Sequence, residues 1–148
     1  MTTHQTPKSF ATASISQSSA ESLLSAACSA ATRDHVRLAF AVTDAAGLLK
    51  AFVRMDGAPF LAIDIAIDKA WTAASYGTPT DALNQFLAND AGVAPLAYRE
   101  RVTVIGGGYP LFDNGVLVGA IGASGDHYPR DMAAVTTAMK ACGFQLPA

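Results

Sequence analysis

The stretch Tyr109-Pro110-Leu111-Phe112-Asp113-Asn114-Gly115-Val116-Leu117-Val118-Gly119-Ala120-Ile121-Gly122-Ala123 decides the fold. Asn114-Gly115 is the strongest short hairpin signal, because both central residues of a type I′ turn need positive φ. The runs on either side, Tyr109 to Phe112 and Val116 to Ala123, are therefore expected to pair antiparallel. Before them, Arg101 to Ile105 reads as a further strand, interrupted by Gly106-Gly107-Gly108. After them, Asp126 to Pro129 opens a helix ending near Cys142 with Gly143 at its C-terminus, and Met132, Val135, Met139 and Cys142 lie on its inner face.

A second hairpin is expected upstream. Val36 to Thr43 is rich in β-formers, Asp44-Ala45-Ala46-Gly47 supplies a turn, and Leu48 to Arg54 returns. It is preceded by a helix from Ser18 to Arg33, whose Ser18 and Glu21 match a capping box and whose Ala20, Leu23, Leu24, Ala27, Cys28 and Ala31 form one apolar stripe. Between the hairpins, Pro59 favours a helix start at Phe60, and Gly77 with Pro79 stops that helix after Tyr76. Thr80 then caps a short amphipathic segment through Asn89, and residues 90–100 read as a loop. The resulting order, α-β-β-α-α-β-β-β-α, describes an α+β domain with a five-stranded antiparallel sheet flanked by helices.

Composition limits what such a domain can be. Of 148 residues, 51% are apolar, 15% are charged and 30 are alanine, so this is one domain's length of chain with enough apolar surface to fold. A net charge of −2 with no clustered basic run argues against nucleic acid. The apolar runs are far shorter than the ~20 residues needed to cross a bilayer. Met1 to Gln17, rich in Ser and Thr, reads as a flexible tail without an export signal, leaving residues 18–148 as the domain and the cytoplasm as its expected place. Cys28 and Cys142 suit buried thiols better than a disulfide framework or a metal site. Alanine adds little core volume, so its surplus points to close approach of a neighbouring subunit or a ligand.

Candidate chemistry gathers at a few places. Gly125-Asp126-His127-Tyr128-Pro129-Arg130 joins a helix start, with its free N–H groups and dipole, to a cation, and would suit a carboxylate or phosphate. The plain alternative is that Asp126 caps the helix and Arg130 is solvated. Gly106-Gly107-Gly108 could offer a concave row of N–H donors but lacks the Lys-Ser/Thr of a phosphate loop. Gly119, Gly122 and Gly125 have the wrong spacing for a dinucleotide fingerprint and instead imply a close backbone or flat-ligand approach. Lys69, on a helix with few polar residues, is either a partly desolvated anion anchor or base, or a surface partner of Asp64 or Asp68. A metal site on Asp64 and Asp68 has no histidine at ligand spacing. A triad of Ser124, His127 and an aspartate lacks the nucleophile-elbow motif.

Five strings taken together resemble the GlcG/HbpS family: Val42-Thr43-Asp44-Ala45-Ala46-Gly47, Arg54-Met55-Asp56-Gly57-Ala58, Asp68-Lys69-Ala70-Trp71-Thr72-Ala73, Gly107-Gly108-Tyr109-Pro110, and Gly119 to Gly125 with Asp131 six residues on. The resemblance runs from about residue 20 to 143 and implies a profilin-like fold, homo-oligomers, and a haem-binding or accessory role. It also implies that Thr72 touches haem iron. Departures are Arg130, where an acidic residue or Gln is usual, His127 in the loop, and the lack of an export signal.

Two functions follow from the resemblance and the residues. In the first, a small-ligand-binding protein, Lys69 and Arg54 neutralise the propionates of haem or another carboxylate, Thr72 approaches the iron, and Gly107, Gly108, Ser124 and Gly125 lie against the flat ligand. In the second, an isomerase-, hydratase- or lyase-type enzyme, Arg54 and Arg130 hold a carboxylate while His127 or Asp56, with Lys69 as a further candidate, moves a proton. A purely structural role would leave no ligand-sized pocket at the subunit boundary.

Overall fold

The protein is described by a computed structural model covering residues 5–147. Helix α1 (Gln17–Arg33) is followed by strands β1 (Ala39–Asp44) and β2 (Leu49–Arg54), helices α2 (Leu61–Tyr76) and α3 (Thr80–Ala88), a 3-10 turn (Ala94–Tyr98), strands β3 (Gly108–Asp113) and β4 (Val116–Ser124), and helix α4 (Tyr128–Ala141). The sheet runs β2-β1-β4-β3, with every neighbouring pair antiparallel. The expected type I′ turn is present: Asn114 and Gly115 both have positive φ, 49° and 78°. In the other hairpin the Asp44 carboxylate accepts the N–H groups of Ala46 and Leu48, at 2.9 and 3.0 Å, which closes the turn.

Three expectations need correction. Among the described residues the sheet has four strands, not five, and Arg101 to Ile105 is not one of them. That segment is rich in β-branched residues, but three of its backbone polar groups are met by side chains and the Val102 N–H by the Arg99 carbonyl. The Thr72 hydroxyl donates to the Arg101 carbonyl at 3.2 Å and accepts from Thr103 N–H at 3.0 Å, and the Thr80 hydroxyl donates to the Ile105 carbonyl at 2.7 Å. Arg101 itself has a φ of 68°, outside the extended range of a regular strand. At the first helix, Ser16 rather than Ser18 is the cap, accepting from Ser19 N–H at 3.2 Å, while Glu21 receives the Gln17 amide. The exposed N-terminal stretch is also shorter than expected: residues 5–14 are exposed, but Ile15 is buried and its N–H donates to the Val118 carbonyl at 2.8 Å. Met1 to His4 lie outside the described residues. No described helix is long and apolar enough to cross a membrane.

The sheet has two unlike faces. Along β1 the side chains alternate, so Phe40 and Val42 join Leu23, Leu38, Leu111, Ile121, Val135 and Met139 in a core beneath α1 and α4. Ala39 and Ala41 face the other way, where with Ala120 they meet Ala62, Ala66, Ala70, Ala73 and Ala74 of α2. These eight of the chain's 30 alanines let α2 lie almost in backbone contact with the sheet. Both cysteines are half-buried against the larger core, and burial pushes both thiols above their ordinary pKa.

Candidate functional site

Lys69 does not sit on the surface with Asp64 or Asp68. It is 1% exposed, and its Nζ donates to the Ala123 carbonyl at 2.8 Å and to Asp131 Oδ2 at 3.0 Å. Asp131, equally buried, accepts the Asp126 N–H on Oδ1 at 3.2 Å. Burial lowers the Lys69 pKa and raises that of Asp131, and their mutual attraction works against both shifts without overcoming them. The pair ties α2 to the end of β4 and the first turn of α4, which commits the ammonium to the interior. Asp68 instead accepts from Arg101 Nε at 3.1 Å, and that guanidinium lies 4.5 Å over the Trp71 ring. Among the described residues no cluster of His, Cys, Asp or Glu could hold a metal ion.

The glycines expected to cradle a ligand meet the chain itself. Gly108 and Gly122 are direct partners across β3 and β4, and α2 lies on them. A Cβ at Gly122 would come 2.2 Å from the Ala66 carbonyl, and one at Gly108 would come 2.5 Å from that of Lys69. Gly107, with φ of 127°, backs onto the Ala123 carbonyl and Lys69 Nζ, and Gly125 backs onto the Arg37 carbonyl. Ser124 is buried at the end of β4 opposite Ala39. Thr72 is fully buried, and its hydroxyl holds the 101–103 segment through both bonds described above. An iron bond there would require those backbone groups to be given up.

At the start of α4, His127 is the cap residue and stacks edge-on against Tyr128, 4.8 Å between centroids. Arg130 reaches back to the end of α1, donating to the Asp34 carbonyl at 2.9 Å, and stands 3.8 Å from Asp126. Its cation thus caps a neighbouring helix. Neither His127 nor Arg130 lines the cavity that holds Arg54 and Asp56, so the residues of the expected proton-transfer site are not gathered in one place.

That cavity is a cleft of about 580 Å³ between the last turns of α1, the lead-in to β1 and the turn after β2, lined by Cys28, Thr32, His35, Val36, Arg37, Val53, Arg54, Met55 and Asp56. Its size falls within the ~300–1,000 Å³ usual for ligand pockets. Arg54 donates to the Ala58 carbonyl at 3.1 Å, and Arg37 lies against Gly57, where a Cβ would meet its Nη1 at 2.7 Å. Two guanidiniums therefore flank one turn, and among the described residues neither they nor Asp56 form an ion pair. His35 follows the C-cap of α1 with a φ of 57°, a left-handed conformation that costs a non-glycine residue about 1–2 kcal/mol.

Sequence reasoning found Arg54 and Asp56 and missed Thr32, His35 and Arg37. A usable signal was present: Arg33-Asp34-His35-Val36-Arg37 is a dense polar run, at a helix-to-strand junction, in a chain only 15% charged.

Comparison with known proteins is consistent across sequence and structure. Residues 15–140 match the family described as haem degrading protein HbpS-like. The chain is 31% identical to the protein GlcG of Escherichia coli (strain K12) over 110 residues, covering 74% of this chain and 81% of that one. It is 32% identical over 121 residues to the corrinoid adenosyltransferase PduO of Salmonella typhimurium, covering 80% of this chain but 36% of PduO, and so spans about a third of that enzyme. The solved PduOC:haem complex superposes with a TM-score of 0.83 at 29% identity, covering 89% of this chain and 97% of the other.

Proposed function

This chain belongs to the HbpS-like family, and from that premise we propose that it is a haem-binding protein of an accessory or sensing kind, with the cleft between α1 and the turn after β2 as the seat of the ligand. The observation that carries the reading is the pair Arg37 and Arg54, both outside any ion pair among the described residues and both on one rim of a ligand-sized cavity. Haem carries two carboxylates on one edge, and each guanidinium can take one of them in a charge-assisted, bidentate hydrogen bond. Val36, Val53 and Met55 supply apolar wall for the macrocycle, and the same lining includes His35 and Cys28, nitrogen and sulfur donors of the kinds that hold haem iron. When bound, the group supplies a redox-active iron. The chain's part is to fix its edge, keep water from one face and set its orientation.

Thr72 plays no part in this seat, since its hydroxyl is committed to backbone elsewhere. Exposed Phe60, Leu61 and Tyr98 support assembly into a homo-oligomer, which sedimentation of the purified chain reads directly.

Haem titration tests the reading. A saturable Soret shift at about one haem per chain is expected, and the double variant Arg37→Ala/Arg54→Ala should weaken binding about tenfold or more, since a hydrogen bond to a charged group contributes ~1.5–3 kcal/mol. Unsaturable binding by the unaltered chain would sink it.

A further inference from the structure

We propose that the small cavity where α3, β3, α4 and the last residues of the chain converge is a binding site for a free short-chain primary amine, its ammonium held between the Asp81 carboxylate and the Tyr109 hydroxyl. The site shares no lining residue with the cleft assigned to haem and does not rest on that reading.

Backbone ties beside these two residues bring them together. The Thr80 hydroxyl donates to the Ile105 carbonyl at 2.7 Å and accepts the Gly108 N–H at 3.0 Å, which fastens the first turn of α3 to the start of β3. Asp81 and Tyr109 directly follow the joined Thr80 and Gly108, and both line a cavity of about 240 Å³. Neither is committed to a partner. Tyr109 is 6% exposed, and its hydroxyl has no hydrogen-bond partner among the described residues, yet it is not sealed from solvent as Asp81 Oδ1 is. Asp81 forms no ion pair among the described residues, and with Oδ1 enclosed and unpartnered, its other oxygen is the one open to the cavity. Thr136 is also on the wall, but its hydroxyl donates to the Met132 and Ala133 carbonyls at 3.0 and 3.2 Å. The carboxylate and the phenol are left as the free pair.

Their chemistry selects the occupant. Burial, and then repulsion from Asp81, push the Tyr109 phenol up to about 12, with no neighbouring cation to offset them. An anion is repelled from such a place. A cation carrying N–H groups meets an acceptor on each side, because a phenol oxygen accepts as well as donates. A metal ion is poorly served, since among the described residues no three His, Cys, Asp or Glu side chains gather. The remaining wall, with Pro79, Leu146 and Pro147, is apolar and suits a short alkyl chain. The volume lies below the ~300–1,000 Å³ of drug-sized pockets, which limits the chain to a few carbons.

The test is a titration of the isotopically labelled full chain with n-butylammonium chloride at neutral pH, followed by backbone amide chemical shifts. Uncharged n-butanol and potassium chloride serve as controls. Saturable shifts centred on Asp81, Tyr109 and Thr136 are expected with butylammonium and none with the controls. Asp81→Asn, of the same shape without the charge, should weaken binding about tenfold or more, and Tyr109→Phe should weaken it severalfold. Nα-acetyl-lysine methylamide, with the same ammonium on a bulkier backbone, should bind more weakly than butylammonium. Shifts that rise without saturating, or that centre on another surface, overturn the site, as does undiminished affinity in Asp81→Asn. Equal binding of n-butanol overturns the role of charge, and equal or tighter binding of the lysine amide overturns the free amine. Should Asp81→Asn fail to fold, Tyr109→Phe decides, and undiminished affinity there overturns the proposal.

Discussion

The two faces of the sheet solve the same problem of burial in opposite ways. Under α1 and α4 the gap is filled by large side chains, Phe40, Leu111, Ile121 and Met139 among them. Under α2 there is almost no gap: eight alanines from α2, β1 and β4 form that cluster, and the Gly108–Gly122 pair removes even the Cβ where the helix passes. A face built from large side chains can lose volume and partly collapse around the loss. Where two backbones are nearly in contact there is no flexible atom to move, so the same fold contains one tolerant face and one that tolerates almost nothing.

The largest effect is therefore expected from the smallest substitution. Gly122→Ala puts a methyl 2.2 Å from the Ala66 carbonyl and 2.7 Å from the Ala70 N, both backbone atoms. Its cost should exceed the ~1–3 kcal/mol of ordinary overpacking and take most of a domain's ~5–15 kcal/mol. Leu111→Ala, on the other face, should cost about 2–5 kcal/mol and leave a cooperative transition. Gly143→Ala, with φ of 80° and nothing near its Cβ, isolates the backbone penalty at about 1–2 kcal/mol. Thermal unfolding followed by circular dichroism ranks the three, and a Gly122→Ala protein as stable as Leu111→Ala would break the contrast.

Charge sharpens it further, because the alanine face also carries the buried ion pair. Lys69→Met leaves the Asp131 carboxylate in the interior with only the Asp126 N–H on it, for an expected loss of about 3–5 kcal/mol in denaturant unfolding. Removing both charges with Lys69→Met/Asp131→Leu should recover most of that loss, since the cost lies in an unpaired charge rather than in a missing attraction. A single variant costing less than about 1 kcal/mol would show that the pair does not hold α2 to α4.

What the sequence displayed of all this was whatever is local. Asn114-Gly115, the Asp44 turn, Pro59 and Gly77 act within a few residues of themselves, and the elements they bound are where they were expected. Arg101 to Ile105 was misread because β-branched residues look alike whether a ladder or two distant threonine hydroxyls satisfy the backbone. The partner of Lys69 lies 62 residues away, beyond any spacing rule, so Asp64 and Asp68 on its own helix looked nearer than Asp131. The cleft was half visible for the same reason: the Arg54 and Asp56 side was read, but Thr32, His35 and Arg37 join it only through the crossing of α1 over the hairpin.

Tyr109 provides the smallest and most conditional effect, and it tests the large-side-chain face as Lys69 tests the other. It is 6% exposed, and burial, with the Asp81 carboxylate adding repulsion, pushes its phenol up to about 12. One oxygen of that carboxylate is itself buried without a hydrogen-bond partner. A phenol whose folded pKa is raised stabilises the fold fully below its unfolded value of 10.0, and that contribution is lost as pH climbs from there through about 12. At ~1.4 kcal/mol per pH unit, about 2–3 kcal/mol should disappear along this limb. Tyr109→Phe keeps the ring packed and cannot ionise, so its stability should fall less steeply over the same range, while the two proteins run parallel near neutrality. Melting temperatures measured across that range, with the phenolate band followed by absorbance, decide the matter. Superimposable alkaline limbs would mean that Tyr109 ionises without disturbing the core, and that this face tolerates a buried charge as the alanine face does only with a partner.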